Sequence, residues 1–208
     1  MMLAQLLHVV APVFAVAAVG WVFAGFRRVD LAGLTDVILY AAAPALVFTS
    51  LAARPLSPGS LFAVGGGAVF QSLVCGLTAW FVLRGLGLPG RGLTLTAMFP
   101  NTGNLGLPLA LLAFGPEGLA AAAIVFSAIT LVQYSVGLAV VSGSPHPGAA
   151  LRMPILHGAV LGVGAGLAGV VPPAPLMRSL ELLGQATVPL MLLSLGIRLR
   201  SVRLRRPA

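Results

Sequence analysis

The chain has 208 residues, of which 59% are hydrophobic and only 8% charged. So little charge cannot cover a water-soluble globule, which sets that class aside. The net charge is +8, and its basic residues flank apolar runs rather than form a basic module, which argues against a nucleic-acid partner.

Apolar runs near residues 3–25, 34–53, 60–83, 92–114, 118–141, 153–171 and 179–197 are each about 20 residues long, enough to cross a hydrocarbon core of about 30 Å. The expectation is an all-α, polytopic membrane protein with seven transmembrane helices. The first run resembles a signal peptide at Ala15-Val16-Ala17, but Arg27 and Arg28 follow it and no arginine precedes it. That charge order is the reverse of a signal peptide's, so the run reads as a retained helix. All 12 basic residues are arginine. On this topology only Arg54 and Arg178 fall on one side. Arg27, Arg28, Arg84, Arg91, Arg152, Arg198, Arg200, Arg203, Arg205 and Arg206 fall on the other, which the positive-inside rule makes cytoplasmic. The chain is then N-out and C-in in the cytoplasmic membrane, with the tail IRLRSVRLRRPA against anionic lipid headgroups.

The fourth run breaks the pattern. FPNTGNLGLP, residues 99–108, places Pro100, Pro108, Gly103 and Gly106 inside a membrane-length segment. Proline removes a backbone donor and glycine weakens the helix, so a discontinuous helix 4 is expected. Freed backbone groups in lipid cost several kcal/mol unless protein or water satisfies them. Asn101, Thr102 and Asn104 are placed to supply those partners or to hold a ligand. A half-helix N-terminus at membrane depth favours an anion, as in carriers built from discontinuous helices. The alternative is a kinked packing helix, against which the depth of the two asparagines argues.

Later features read as structural. Pro116 after Gly115 marks a helix start, and Pro154 opens the sixth run. Pro172, Pro173 and Pro175 stop that run in a short loop. Gly162-x-Gly164-x-Gly166, and Gly65 to Gly67, suit close helix packing. The lone Cys75 excludes a disulfide framework and a cysteine zinc site, and no cofactor or metal is expected. The acids Asp30, Asp36, Glu117 and Glu181 lie near run ends. His8 and His157 fall in runs and His146 in a loop, and a lone histidine in a run is read as packing rather than proton relay. With no acid at depth, an anion moving down its electrochemical gradient is favoured, the membrane potential supplying about 2.3 kcal/mol per charge per 100 mV for export.

The second and seventh runs align on Pro44 and Pro189, LTDVILYAAAPALVF over SLELLGQATVPLMLL. Asp36 and Glu181 lie eight residues before each proline, Tyr40 and Gln185 four before, and Ala41 and Ala186 three before. An offset of five spans inverts the second copy, the arrangement of secondary transporters. Residues 1–142 would form a first five-helix repeat and 143–208 the first two helices of a second. This is an incomplete five-plus-five inverted-repeat fold.

Asn101 with Asn104-Leu105-Gly106-Leu107-Pro108, the second run, Met153-Pro154 and GQATVPLMLLSLGIRL together resemble the auxin efflux carrier family. These permeases are related to the bile acid:sodium symporters, and the resemblance covers essentially the whole chain. It implies ten helices in two inverted repeats, with helices four and nine interrupted and crossing near the substrate. The substrate would be a small organic anion such as a malate-like acid or auxin. It places Asn101, Asn104 and Pro108 at the first crossover, and Gln133 of the fifth span where a polar residue often faces the substrate; with Thr102, Gly103 and Gly106 of the same broken stretch these are the expected substrate-binding residues. Helices eight to ten have no counterpart here, so a homo-oligomer or a further chain would supply them.

Three rival classes fit the sequence less well. A retinal protein needs a Schiff-base lysine, which the chain lacks. An intramembrane enzyme would show H-E-x-x-H, G-x-S-x-G or a buried acid pair, none of which is present. A transport-inactive remnant or scaffold is the third, and binding of no anion by the folded chain would support it. If the crossover is the site, Asn104→Ala abolishes anion binding while the protein stays folded and inserted; calorimetry alongside size-exclusion chromatography checks both, and unchanged binding removes the assignment.

Overall fold

A computed structural model describes residues 2–53, 57–88, 90–144, 148–170 and 172–201, with side chains described from residue 7 onward. Arg54, His146 and the tail arginines Arg203, Arg205 and Arg206 lie outside the described residues. No strand occurs among those described.

The chain runs through α1 (Met2–Phe26), α2 (Leu31–Ala52), α3 (Pro58–Gly85) and α4 (Gly90–Met98). Local chemistry sets their ends. The Asp30 carboxylate accepts the Ala32 N–H at 3.0 Å and starts α2. The Ser57 hydroxyl accepts the Ser60 N–H at 3.1 Å and Pro58 opens α3, each cap taking up a backbone donor that a helix start leaves orphaned. Gly87, at φ +66°, closes α3 as Leu88 N–H reaches the Leu83 carbonyl at 3.0 Å.

The fourth and fifth expected spans form one largely helical stretch, Gly90–Ser142, of 53 residues. It breaks at 99–101 and turns back at Gly115, whose φ of 65° and ψ of −156° are open essentially to glycine alone. The reversal is tight: a Cβ built on Gly118 would lie 2.5 Å from the Ala110 carbonyl oxygen, whereas residues eight apart on a straight helix are separated by about 12 Å. Residues 107–114 are α5, and 116–142 are α6. A single 3₁₀ turn, Ala150–Arg152, leads to α7 (Pro154–Ala168), and α8 is Ala174–Ser201.

Among the described residues five stretches are long and apolar enough to cross a membrane, Gly90–Ser142 counting as one. The sixth expected span departs from the reading above. α7 has 15 residues, about 22 Å of helix and short of a 30 Å core, because Gly169 terminates it in the left-handed conformation at φ +64°. α8 starts at Ala174, so Pro175 and Arg178 belong to the helix and not to the loop. Proline is harmless in a first turn, where its missing donor has no acceptor.

The core gathers Val47 and Leu51 of α2, Leu107 of α5, Phe126 of α6, Ile155 of α7 and Met191 of α8. Around it the large side chains point outward: Phe14, Phe62, Phe70 and Phe81 are all more than 60% exposed. Apolar exterior and small-residue contacts together fit a lipid surround, where close backbone approach drives association. A Cβ on Gly158 would lie 2.5 Å from the Pro44 carbonyl oxygen, and one on Gly162 would lie 2.8 Å from that of Phe48. The α7–α2 contact is therefore built on glycines four apart. Gly164 faces open space, as do Gly66 and Gly67, so those three do not serve the packing role expected of them. Gly158→Val should lower the thermal midpoint through overpacking, a cost of about 1–3 kcal/mol, while Gly164→Val should not; fluorescence-detected size-exclusion after heating distinguishes the two.

Candidate functional site

The break in the fourth span satisfies its own backbone. α4 ends at Met98, and Pro100 donates nothing. Thr102 N–H donates to the Pro100 carbonyl at 2.8 Å, and Gly106 N–H to the Asn101 carbonyl at 3.0 Å, five residues back. That wide π turn, Thr102–Gly106, leads into α5. The Asn101 side-chain oxygen accepts the Asn104 N–H at 3.2 Å and caps the turn. The carbonyl left free at Met98 is taken by α3, whose Ser72 hydroxyl donates to it at 2.9 Å. Gly76 admits the Met98 side chain, the sulfur lying 2.9 Å from where a Cβ would be.

Two further π turns lie close by. Ile38–Ala42 precedes Pro44, which withholds the N–H that the Tyr40 carbonyl would otherwise accept. Gln133–Gly137 interrupts α6. The Phe99 ring of the break seats against Gly137, 2.8 Å from the position of an added Cβ. All three π turns open onto one cavity of about 350 Å³. Leu39, Asn104 and Gln133 each represent one of them on its wall. π turns recur at functional sites because the extra residue reorients side chains and frees backbone carbonyls.

Of the residues expected at the site, Asn101, Thr102, Gly103, Asn104 and Gln133 line this cavity. Gly103 lies against the Phe126 ring, 3.1 Å from an added Cβ. Gly106 and Pro108 do not line it: Gly106 closes the π turn, and Pro108 is fully buried at the start of α5. Among the described residues, the side chains of Thr102, Asn104, Gln133 and Tyr134 have no hydrogen-bond partner within the protein. Such groups in an apolar surround require water or ligand in the cavity. Thr130 and Ser194, also on the wall, are instead satisfied along their own helices by the Phe126 carbonyl at 2.7 Å and the Met191 carbonyl at 2.8 Å.

Tyr134, next to Gln133, and Arg198 line the site although neither was among the residues expected there. In the sequence Arg198 stands only as a marker of orientation. It stands on the α8 face that also presents Met191 and Ser194, at i, i+3 and i+7, and that spacing was the available signal. Its guanidinium donates to the Thr35 hydroxyl at 2.7 Å, tying α8 to the start of α2. No Asp, Glu or His lines the cavity among the described residues, so Arg198 is its charged group. Asp30, Glu117, His8 and His157 are exposed elsewhere. No three His, Cys, Asp or Glu among the described residues gather as metal ligands.

The arrangement is that of a multi-pass helical membrane protein with a polar cavity at a broken helix. No protein-family model matches the sequence. An uncharacterized transporter of Methanothermobacter thermautotrophicus is 34% identical over 82% of this chain and 59% of its own length. An uncharacterized transporter of Methanocaldococcus jannaschii is 32% identical over 80% of the chain and 59% of its own length. A Rhizobium meliloti protein named "Putative malonate transporter" is 26% identical over 98% of the chain and 70% of its own length. The chain thus spans about three fifths of the two archaeal relatives. Relatives named as transporters, together with the apolar helices, support a multi-pass membrane protein of the transporter kind.

A water-filled cavity has a direct consequence. In a Cys75→Ala background, Thr102→Cys should react with a water-soluble maleimide far faster than the lipid-facing Phe70→Cys, because the reactive thiolate forms only in contact with water. Equal rates would show the cavity to be dry.

Proposed function

We propose that the chain holds the substrate in a carrier of the auxin efflux carrier type, one that moves small organic carboxylates across the cytoplasmic membrane. The observation that carries this reading is Arg198, the one charged residue among the described residues on the wall of a cavity otherwise lined by neutral amides, hydroxyls and apolar side chains. A guanidinium presents five donors in a planar fork that matches a carboxylate. One donor is engaged by Thr35, which holds the head in place and leaves the others for a ligand. Asn104, Thr102 and Gln133 add neutral donors and acceptors for the rest of the molecule. A volume of about 350 Å³ lies at the small end of ligand sites, and the name of the Rhizobium relative points to a short dicarboxylate.

On this reading seven helical segments cross N-out and C-in, with α7 accommodated by its packing on α2. The α2 and α8 segments belong to corresponding places of two inverted repeats. Among the described residues the cavity wall offers no carboxylate or imidazole to take up a coupling ion, which favours export of the anion driven by the membrane potential.

Calorimetric titration of the purified protein with malonate, malate and indole-3-acetate tests this. Arg198→Gln should weaken carboxylate binding at least tenfold, in line with about 1.5–3 kcal/mol for a hydrogen bond to a charged group. Arg198→Lys should restore only part of it, since an ammonium lacks the fork. Unchanged binding by Arg198→Gln, or no binding of any carboxylate by the parent protein, would defeat the proposal.

A further inference from the structure

A second groove, of about 540 Å³, lies between α3, α4 and the distal part of α6, and it shares no lining residue with the polar cavity. Its walls are mainly apolar, with Leu73 and Leu77 on α3, Met98 on α4, and Val136 and Val140 on α6; Thr94 of α4 adds one hydroxyl that has no hydrogen-bond partner among the described residues. Arg84 and Arg91 close one end, on either side of the tight turn at Gly87. No acid lines the groove among the described residues.

The geometry has a definite length scale. Leu73, Leu77, Trp80 and Arg84 recur at i, i+4, i+7 and i+11 and share one face of α3. From Leu73 to Arg84 is roughly 16 Å of helix, about half of a 30 Å hydrocarbon core, which is the depth of one leaflet. Trp80 stands next to the cationic end with the Arg84 guanidinium 5.4 Å from its ring centre, the place an interfacial tryptophan occupies at the headgroup level. The N-terminus of α4 begins at Gly90, on the groove wall, and adds its partial positive charge at the same end.

We propose that this groove binds one anionic phospholipid, with its phosphate between Arg84 and Arg91 and an acyl chain along the α3 face toward Leu73. The occupant follows from the two halves of the site. A free phosphate would leave the apolar length unused. A transmembrane helix of another protein would run beyond one leaflet and would need acids to meet two arginines. A zwitterionic lipid carries its own cation against them. Lipid sites between transmembrane helices are built in this way, from a basic head region and an apolar slot.

Native mass spectrometry of the full chain, with equimolar phosphatidylglycerol and phosphatidylcholine supplied in mild detergent, tests the proposal. The expected result is at least tenfold preferential retention of one phosphatidylglycerol, abolished in the Arg84→Gln/Arg91→Gln double variant. It should be kept in Arg27→Gln/Arg28→Gln, whose arginines line a different surface. Leu77→Trp fills the slot while leaving both arginines in place, and should also abolish retention; it serves as the test if the double variant fails to fold. Equal retention of the two lipids, equal loss in the Arg27/Arg28 control, persistence of the bound lipid in Leu77→Trp, or a lipid-free dimer in its place would each overturn the assignment.

Discussion

Every polar group of a backbone that leaves helical geometry in an apolar medium must find a partner, and the centre of this molecule is organised around that requirement. The break at 99–101 frees groups on both sides. Asn101 caps the following turn from within, and Ser72 of α3 takes the Met98 carbonyl from outside. The break is therefore stable only where α3 is close, and α3 is close because Gly76 leaves room for Met98. Backbone satisfaction, helix packing and the position of the cavity are one coupled arrangement.

The polar surface that remains follows from the same economy. Serines and threonines in the core, such as Thr49, Ser127, Thr130 and Ser194, bond back to their own helices and present little unmet polarity. The side chains of Thr102, Asn104, Gln133 and Tyr134 do not, and they meet at one cavity. Two buried hydroxyls away from this cavity, Thr94 and Thr187, also lack a partner among the described residues, but the cavity is where four such side chains meet on one accessible wall, and there they form a recognition surface.

Charge completes the site. Arg198 reaches the cavity from the last turns of α8 and is held by Thr35 of α2. Arg200, two residues on, turns away to the opposite side and lies over Trp21 of α1, with its guanidinium 4.4 Å from the ring centre. Neighbouring arginines on one helix thus have separate tasks, because successive helical positions point about 100° apart. Among the described residues, the charge on the cavity wall is that of Arg198.

The class of the molecule was legible in the sequence, because apolar length and arginine placement are local properties that a bilayer reads directly. So was the break, since two prolines and two glycines in ten residues forbid a continuous helix whatever surrounds them. The turn at Gly115-Pro116 was also visible, although its left-handed φ was not. Pro44 offers a sequence signal for the first π turn, since it withholds the N–H due to the Tyr40 carbonyl; the five-residue register of the three turns was otherwise not legible, because it depends on packing neighbours. The partner of the Met98 carbonyl was equally hidden, 26 residues away on another helix. Above all, the sequence by itself marked Arg198 as one of a row of arginines at the ends of apolar runs, and only the tertiary structure separated it from the rest. Which cation faces a cavity depends on the rotation of α8 against α2 and α6, and that angle is decided by close contacts such as Gly184 on the Leu46 backbone. The pattern of one segment read alone does not contain it.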